Sequence, residues 1–234
     1  MSEHAKPMPN KDLWIVIAAY NESKRIGNTI AGLQQHGYRN IVVVDDGSAD
    51  DTYLSAKSFG IHTLRHVLNC GQGAALQTGI QYALRQGAHY ICTFDADGQH
   101  AANEIPQVLE PVLQKRVDVT LGSRFLGATE NIPLSRKLVL KGGVIFTRVF
   151  SRVKVTDAHN GFRVLSRNAA EKIRIRQNRM AHASEILDEI RTHDLRFEEV
   201  PVTIRYNADT LAKGQSSWNA FRIVAQLVMG RLVG

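Results

Sequence analysis

Short apolar runs alternate with amphipathic stretches along the first half of the chain, and most of these runs end abruptly in a polar or glycine-rich turn. The runs have the length of strands and are rich in β-branched residues, as expected of strands buried on both faces of a parallel sheet. The alternation predicts an α/β fold with a doubly wound, mostly parallel sheet, right-handed crossovers and helices on both faces. The predicted strands are 13–19, 41–44, 61–67, 90–94 and 117–121, and helices are predicted around 26–33, 54–59, 74–85 and 105–113.

The turn after the fourth predicted strand, in the stretch ICTFDADGQH, carries two acids one residue apart. Ligands of open α/β sheets bind outside the carboxyl ends of the strands, which is where Asp95 and Asp97 are expected. Hard cations such as Mg²⁺ or Mn²⁺ prefer oxygen ligands, so Asp97 and Gln99 are candidate metal ligands. Asp95 is a third candidate, through water or through a sugar or ribose hydroxyl. The alternative is a solvated acidic turn without a metal.

Polar turns also follow the first three predicted strands, where the chain reads AAYNE, DDGSADD and NCGQG. A doubly wound sheet would gather several of these turns at one edge, in a cleft suited to a nucleotide and its metal. A dinucleotide-binding fold would instead place G-x-G-x-x-G directly after the first strand, where this chain has AAYNES. Phosphate-binding-loop and kinase motifs are also missing from the sequence. Ser48 or Asp50 is expected to cap the following helix.

The chain has 29 basic and 22 acidic residues, a formal charge of +7 in 234 residues. Such a balance suits nucleic acid, an anionic membrane or a phosphate-rich substrate. No nucleic-acid-binding motif is present, so we expect no nucleic acid as a partner. Cys70 and Cys92 form neither a disulfide framework nor a zinc pattern, and both are expected to be inert packing thiols. The leader 1–12 has no apolar core, which predicts a flexible tail and a cytoplasmic protein.

The motifs AAYNES, VVDDGSADDT, GQGAALQTGI, FDADGQH and GSRF, in this order and spacing, resemble the inverting family-two glycosyltransferases of the nucleotide-sugar-binding type A fold. The later segment TDAHNGFRVLSR is most similar to the dolichyl- and polyprenyl-phosphate mannose or glucose synthases. The resemblance covers roughly residues 13–206. It implies a metal-dependent, inverting transfer of a hexose from a GDP- or UDP-sugar to a polyprenyl or dolichyl phosphate. Transfer to a sugar hydroxyl in polysaccharide assembly, or a non-catalytic nucleotide-sugar-binding module, are the alternatives.

The resemblance also assigns roles to single residues. It implies that Tyr20 and Glu22 meet the nucleobase and its surroundings, and that Asp46 holds the base or ribose. Asp95, Asp97 and Gln99 would handle the metal, the ribose and the diphosphate, and Arg124 would lie near the donor or acceptor phosphates. The sequence departs from the family pattern at two positions, where Ala18 replaces a frequent proline and Gln72 replaces a frequent lysine. Ala18 is nevertheless predicted to be one of the substrate-binding residues.

The acceptor decides which further side chains the chemistry needs. A lipid phosphate is already ionised and needs cations rather than a base, and guanidinium groups match phosphate oxygens. A hydroxyl acceptor needs a general base, for which Asp157 is the candidate, with His159 behind it. The alternative for each of these residues is a surface charge or a local salt bridge. The candidate cations are Arg124, Arg136, Arg163, Arg205 and Lys213.

Two amphipathic stretches are candidates for contact with a membrane surface. Residues 137–154 separate a basic stripe from an apolar face, and residues 218–232 place apolar side chains on one face. Such helices suit an anionic interface, and packing on the sheet or on another subunit is the alternative. Neither stretch has the roughly twenty apolar residues of a transmembrane span. We therefore predict a flexible tail at 1–12, a catalytic domain at 13–206, and a mobile loop with a C-terminal amphipathic helix at 207–234. Peripheral association with the inner face of the cytoplasmic membrane is also predicted. The sequence does not predict an oligomeric state.

Overall fold

The computed structural model describes residues 11–127, 129–130, 155–177 and 181–205. The predicted amphipathic helices and the loop 207–217 lie outside the described residues, as do the candidate cations Arg136 and Lys213. Arg205 is described as part of a strand, without its side chain.

A seven-stranded mixed sheet forms the centre of the described fold, in the order β3-β2-β1-β4-β7-β5-β8. The strand β7 pairs antiparallel with β4 and β5, whereas the other pairs of this sheet are parallel. The prediction of a mostly parallel sheet is confirmed, and the antiparallel strand was not predicted. The strands are β1 (Leu13–Ala19), β2 (Ile41–Asp45), β3 (His62–Arg65), β4 (Tyr90–Thr93), β5 (Val119–Ser123), β6 (Thr129–Glu130), β7 (Arg163–Ser166), β8 (Phe197–Pro201) and β9 (Ile204–Arg205), and β6 pairs with β9 in a small second sheet.

Helices cover both faces of the sheet, as the strand sequences require. Along β1, Ile15 and Ile17 belong to one apolar cluster, whereas Trp14 and Val16 belong to the other. Because successive side chains of a strand point to opposite faces, an apolar run of this kind needs a cover on each side. The helices are α1 (Ile26–Gln35), α2 (Thr52–Lys57), α3 (Gln72–Arg85), α4 (Ile105–Leu113), α5 (Arg167–Lys172) and α6 (Ala181–Thr192), with a 3₁₀ turn at Ala102–Glu104.

Of these helices, none combines the length and the apolar character that crossing a bilayer demands.

Two elements have bounds that differ from the predicted ones, namely the end of β3 and the start of α2. The third strand was predicted over 61–67, but β3 ends at Arg65 and Val67 is 97% exposed. The helix predicted from residue 54 begins at Thr52, because the Asp50 carboxylate accepts the Thr52 backbone N–H at 3.0 Å. The N-cap position is Asp51, whose side chain makes no cap hydrogen bond, and Asp50 instead accepts the first N–H of the helix.

The order of the strands fixes where a ligand can bind. β1 has β2 on one side and β4 on the other, so the connections run in opposite directions from this point. In open α/β sheets such a switch point leaves a crevice at the carboxyl ends of the strands. The turns after β1, β2 and β4 therefore converge at one edge, as their sequences predicted.

Candidate active site

A cleft of about 460 Å³ opens at this edge of the sheet. The turns that follow β1, β2 and β4 contribute to it, together with the start of α3, the segment before β7 and the start of α6. The predicted turns after neighbouring parallel strands thus meet at one place. The lining residues are Ala18, Ala19, Tyr20, Glu22, Asp46, Asn69, Gly71, Gln72, Asp95, Ala96, Asp97, His159, Gly161, Arg163, His182 and Ala183.

Asp95 lies at the floor of the cleft and is held by a histidine that sequence reasoning missed. His100 Nε2 is 2.8 Å from Asp95 Oδ2, and its buried ring packs edge-on against Phe94. Burial raises the pKa of Asp95, but the charges of His100, Arg163 and Arg124 outweigh it and hold the pKa below its usual value. Asp95 is therefore an ionised and oriented carboxylate.

Asp97 also lines the cleft, in a different electrostatic setting. Burial, and then the neighbouring charge of Asp95, raise the pKa of Asp97 to about 6. The Gln99 backbone N–H donates to Asp97 Oδ1 at 3.0 Å, and Gly98, at φ +76°, makes the turn between them. A divalent cation would relieve the repulsion between the two carboxylates, so this donor set fits Mg²⁺ or Mn²⁺. The Gln99 side chain is not among the residues that line the cleft.

Gly161 leaves the space that the Asp95 carboxylate occupies. A Cβ at this position would overlap both Asp95 carboxylate oxygens. The Gly161 carbonyl accepts a hydrogen bond from the Thr93 hydroxyl at 2.6 Å, which fixes the segment before β7 against the end of β4. The glycine of the NGFR segment is thus required by the close approach of the two chains.

Asp46 also lines the cleft and is anchored by the turn that opens α3. The backbone N–H groups of Cys70 and Gly71 donate to its two carboxylate oxygens at 2.9 and 2.7 Å, and His66 Nδ1 lies 2.8 Å from Oδ1. The predicted position of Asp46 in the cleft agrees with the structure. Its partners His66, Cys70 and Gly71 were not predicted, since 20 to 25 residues separate them from it.

The turn after β1 brings Ala18, Tyr20 and Glu22 to the cleft, as predicted. Tyr20 is 48% exposed, so about half of the residue is accessible to a ligand. The Glu22 carboxylate accepts a hydrogen bond from Arg25 at 2.9 Å, and its backbone N–H donates to the Thr52 hydroxyl at 2.8 Å. The first and second turns are thus tied together.

Arg163 brings a buried positive charge to the cleft. As the first residue of β7 it pairs with Thr93 of β4, which places it beside the carboxylates. Its Nη2 lies 3.4 Å from the Ala158 carbonyl, whereas Nη1 is buried and has no hydrogen-bond partner among the described residues. A buried N–H without a partner is costly, so an anionic or hydroxyl-bearing ligand would find a ready donor here.

Arg124 and Asp157 lie together behind the cleft and are not among its lining residues. Arg124 donates to Asp157 Oδ2 through Nε at 2.6 Å and through its backbone N–H at 3.1 Å. Glu199 of β8 accepts the backbone N–H groups of Thr156 and Asp157 at 2.8 and 3.1 Å. The predicted roles of Arg124 and Asp157 in phosphate binding and base catalysis stay predictions, and in this structure they bind each other.

Two histidines complete the wall beside Arg163. Burial, together with the charges of Arg163 and Arg124, lowers the pKa of His159 although Asp157 opposes this, so the ring is neutral. Its Nδ1 is buried without a hydrogen-bond partner in the part of the chain that the structure describes. His182, at the start of α6, was missed because nothing in its local sequence marks it as a cleft residue.

Comparison with known proteins gives matches over most of the chain. Residues 14–174 match the family model described as Glycosyl transferase family 2. An uncharacterised protein of Methanocaldococcus jannaschii is 39% identical over 228 residues, covering 95% of this chain and 94% of that protein. The UDP-N-acetylglucosamine–dolichyl-phosphate N-acetylglucosaminyltransferase of Methanococcus voltae is 33% identical over 243 residues, covering 95% and 97%. The polyprenol monophosphomannose synthase of Mycolicibacterium smegmatis is 31% identical over 175 residues, covering 70% and 65%.

Solved structures share the fold at lower identity. The glucosyl-3-phosphoglycerate synthase of Mycobacterium tuberculosis superposes with a TM-score of 0.68 at 18% identity, covering 93% of this chain and 79% of that one. The same enzyme in complex with Mn²⁺, UDP and glucosyl-3-phosphoglycerate has a TM-score of 0.65 at 18% identity, covering 90% and 81%. At this identity the likeness concerns the fold, and it confirms the predicted fold class.

Proposed function

Because the chain belongs to glycosyl transferase family 2, we propose that it transfers a hexose from a nucleotide sugar, with inversion, to a polyprenyl or dolichyl phosphate. The type A fold and the dependence on a nucleotide sugar follow from the family and its structures. The observation that carries the proposal is one cleft that Asp95, Asp97 and the buried Arg163 line together. This combination suits a diphosphate leaving group and a phosphate nucleophile in the same place.

A UDP-sugar is the favoured donor. Support comes from the Methanococcus voltae relative, whose name states UDP-N-acetylglucosamine as the donor and dolichyl phosphate as the acceptor. The mannose synthase of Mycolicibacterium smegmatis supports the same class of acceptor with another sugar. GDP-sugars therefore belong in the same experiment.

Asp46, Tyr20 and Glu22 are proposed to hold the nucleoside. The Asp46 carboxylate is fixed by two backbone N–H groups, so it keeps its orientation without a ligand. The half-exposed aromatic side chain of Tyr20 is suited to stacking on a base. A rigid wall of this kind lowers the ordering cost of binding.

Asp97 would hold Mg²⁺ or Mn²⁺ together with Asp95, and the ion, when bound, supplies positive charge to the departing diphosphate. Asp95 is oriented for this by His100. Gln99, the third predicted ligand, is not among the residues that line the cleft, and its backbone N–H orients Asp97. A metal ligand must be deprotonated. Because neutral pH lies above the Asp97 pKa of about 6, this carboxyl group is mostly ionised there. The two carboxylates are thus ionised when the enzyme works.

The acceptor phosphate is proposed to need placement rather than a base. A phosphate monoester has its second pKa near 6, so an attacking oxygen is ionised at neutral pH. That oxygen forms the bond to the anomeric carbon on one face while the bond to the diphosphate breaks on the other, which inverts the configuration. Arg163 can orient phosphate oxygens through its buried Nη1, for which the described part of the chain offers no hydrogen-bond partner. Arg205, at the end of β9, remains a predicted second cation.

Transfer to a sugar hydroxyl is the second candidate, and His159 is the observation that favours it. The ring is neutral and lines the cleft, so it could accept a proton from a hydroxyl. Asp157, the base predicted from the sequence, is instead bound by Arg124. The paired state of Asp157 supports the phosphate acceptor over the hydroxyl.

Peripheral association with the inner face of the cytoplasmic membrane belongs to the same proposal. A lipid phosphate lies in the headgroup layer, and the formal charge of +7 would attract the chain to anionic lipids. This follows from the acceptor that we propose.

The experiment uses the full chain with Mn²⁺ and radiolabelled UDP-N-acetylglucosamine, UDP-glucose or GDP-mannose, with dolichyl or undecaprenyl phosphate as the acceptor. We expect label in an organic-extractable product, and a β-anomeric linkage from the α-configured donor by NMR. The variant Asp97→Asn serves as the inactive control. Label that passes only into a water-soluble glycan would replace the lipid acceptor by a hydroxyl. Donor binding without transfer to either acceptor would make the protein a binding module.

A further inference from the structure

We propose a second metal site, for a thiophilic divalent cation such as Zn²⁺, formed by Asp46, His66 and Cys70. A carboxylate oxygen, an imidazole nitrogen and the thiol sulfur of these residues all lie within 4.8 Å of one another. They come from the end of β2, the end of β3 and the turn before α3, so the sheet brings them together. The site is separate from the predicted ligands Asp95 and Asp97.

The chemistry of the three ligands selects a different metal from that of the carboxylate pair. Cysteine thiolate and imidazole are preferred by Zn²⁺ and by Co²⁺, whereas Mg²⁺ and Mn²⁺ prefer oxygen. Zinc sites with three protein ligands leave a fourth position for water or another ligand. Asp46, His66 and Cys70 match such an open site.

The three ligand atoms lie near the spacing that a bound zinc ion requires, and they must shift slightly to reach it. With metal–ligand bonds of about 2.0–2.3 Å, the ligand atoms of a tetrahedral zinc site lie about 3–4 Å apart. Asp46 Oδ1 and His66 Nδ1 are 2.8 Å apart, slightly closer than that. Cys70 is exposed, and its thiol donates a hydrogen bond to the Leu68 carbonyl at 3.3 Å, which binding of the ion would replace. Because Cys70 is exposed, the prediction that it is a packing thiol is wrong, whereas Cys92 is buried as predicted. The predicted inertness of both thiols stays a prediction.

His66 already has the outer partner that a metal-binding histidine needs. Its Nε2 lies 3.0 Å from the Thr78 hydroxyl on α3. When Nδ1 binds a metal, the ring proton sits on Nε2 and can be donated to Thr78. Such a second partner fixes the tautomer and the orientation of metal-binding imidazoles. Asp46 is likewise held in place by the Gly71 N–H on Oδ2.

Charge and proton balance also favour binding. The Asp46 carboxylate and a Cys70 thiolate neutralise the two positive charges of the ion, with His66 neutral. The thiol proton passes to solvent, so binding releases a proton and strengthens as the pH rises.

The proposed zinc site overlaps the proposed nucleoside site. Asp46 and Gly71 also line the cleft in which we propose that the nucleoside binds. A zinc ion on Asp46 would therefore compete with the nucleotide, and added zinc would inhibit transfer. Only this consequence rests on the proposed function, because metal binding itself does not.

The test is the absorption spectrum of the full chain with Co²⁺, which shows a near-ultraviolet charge-transfer band when a thiolate binds the ion. We expect the band in the wild type and in Cys92→Ala, and its loss in Cys70→Ser. The variant Thr78→Val keeps all three ligands and should bind Zn²⁺ about 10- to 100-fold more weakly in competition with a chromophoric chelator. Circular dichroism of Cys70→Ser should match the wild type, since the altered side chain is exposed.

A wild type without the band, a band that persists in Cys70→Ser, or a Thr78→Val protein with unchanged zinc affinity would each overturn the site. These readouts need no sugar donor or acceptor. Their failure would leave the glycosyl transfer proposal standing, and failure of the transfer assay would leave this site standing.

Discussion

Arg124 Nε donates to Asp157 Oδ2 at 2.6 Å, and the two side chains are only 10% and 1% exposed. The pair joins the turn after β5 to the segment that leads into β7. This segment contains Gly161, and Arg163 is the first residue of β7; both residues line the cleft. Its position behind the cleft, rather than in it, suggests that these two residues hold other groups in place.

Breaking this pair should destabilise the protein. Removing one partner of a buried ion pair leaves an unpaired charge and typically costs about 3–5 kcal/mol. We expect Arg124→Met and Asp157→Asn each to lower the free energy of unfolding in urea by about 3 kcal/mol. The double variant should lose about 1–3 kcal/mol less than the sum of the two.

The exposed pair of Arg116 and Glu198 is the matched control. Its nitrogen and oxygen lie 2.9 Å apart, but the side chains are 51% and 38% exposed. A double-mutant cycle with Arg116→Met and Glu198→Gln should give a coupling below about 1 kcal/mol. Equal coupling in the two cycles would argue against a special role for the buried pair.

Asp97→Asn should abolish metal-dependent transfer while the fold stays intact. Loss of one carboxylate from the proposed metal site removes several kcal/mol of transition-state stabilisation. The turnover rate should therefore fall by about 100-fold or more. The check is initial rates over a Mn²⁺ titration, with the melting temperature as the measure of folding. Asp194→Asn, an exposed change at φ +48° that asparagine tolerates, should leave both unchanged. Full activity of Asp97→Asn would remove this residue from the metal site.

The raised pKa of Asp97 predicts how stability depends on pH without metal. Because the folded state holds the proton up to a pKa of about 6, above the usual 3.8, the contribution of this group favours folding at low pH. That contribution is lost as the pH rises from about 4 to 6. The melting temperature of the wild type should therefore fall relative to Asp97→Asn across this window, since asparagine does not titrate. A constant difference would contradict the shift.

The same proton should weaken metal binding in acid. Below a pKa of about 6 a metal ion must displace the Asp97 proton, so the Mn²⁺ affinity should fall by up to about tenfold per pH unit. Calorimetric titrations with Mn²⁺ at pH 5, 6 and 7 measure this slope. Equal affinities at pH 5 and pH 7 would exclude Asp97 as the titrating ligand.

Gly161→Ala should reduce activity through Asp95. The added methyl would overlap the Asp95 carboxylate and push it out of place. Displacement of a reacting group by about 1 Å costs roughly 100-fold in rate. We expect a loss of that order in kcat, and an altered Mn²⁺ requirement.

Gly32→Ala on α1 is the control for this substitution, because a methyl there meets open space. It should raise stability by about 1 kcal/mol, as alanine does in helices, and leave kcat unchanged. An active Gly161→Ala enzyme would show that Asp95 can move without consequence.

Local sequence determined the alternation of strands and helices and the turns at the carboxyl ends of β1, β2 and β4. Apolar periodicity and abrupt strand ends are properties of a few consecutive residues, so Asp46, Asp95 and Asp97 were placed at the cleft without a structure. The antiparallel insertion of β7 was not predictable in this way. It depends on a contact between β4 and a segment about seventy residues later, as in the Thr93–Gly161 hydrogen bond.

Tertiary structure alone decided which side chains meet. It buried Arg163 beside Asp95, paired Arg124 with Asp157, and brought His66 and Cys70 to Asp46. Residue type predicts what a side chain can bind, but its partner depends on how distant segments pack and close their loops. The sequence by itself therefore identified the edge of the sheet, the acids on it and a set of candidate cations, whereas packing decided which of these cations lie beside the acids and which histidines and thiol surround them.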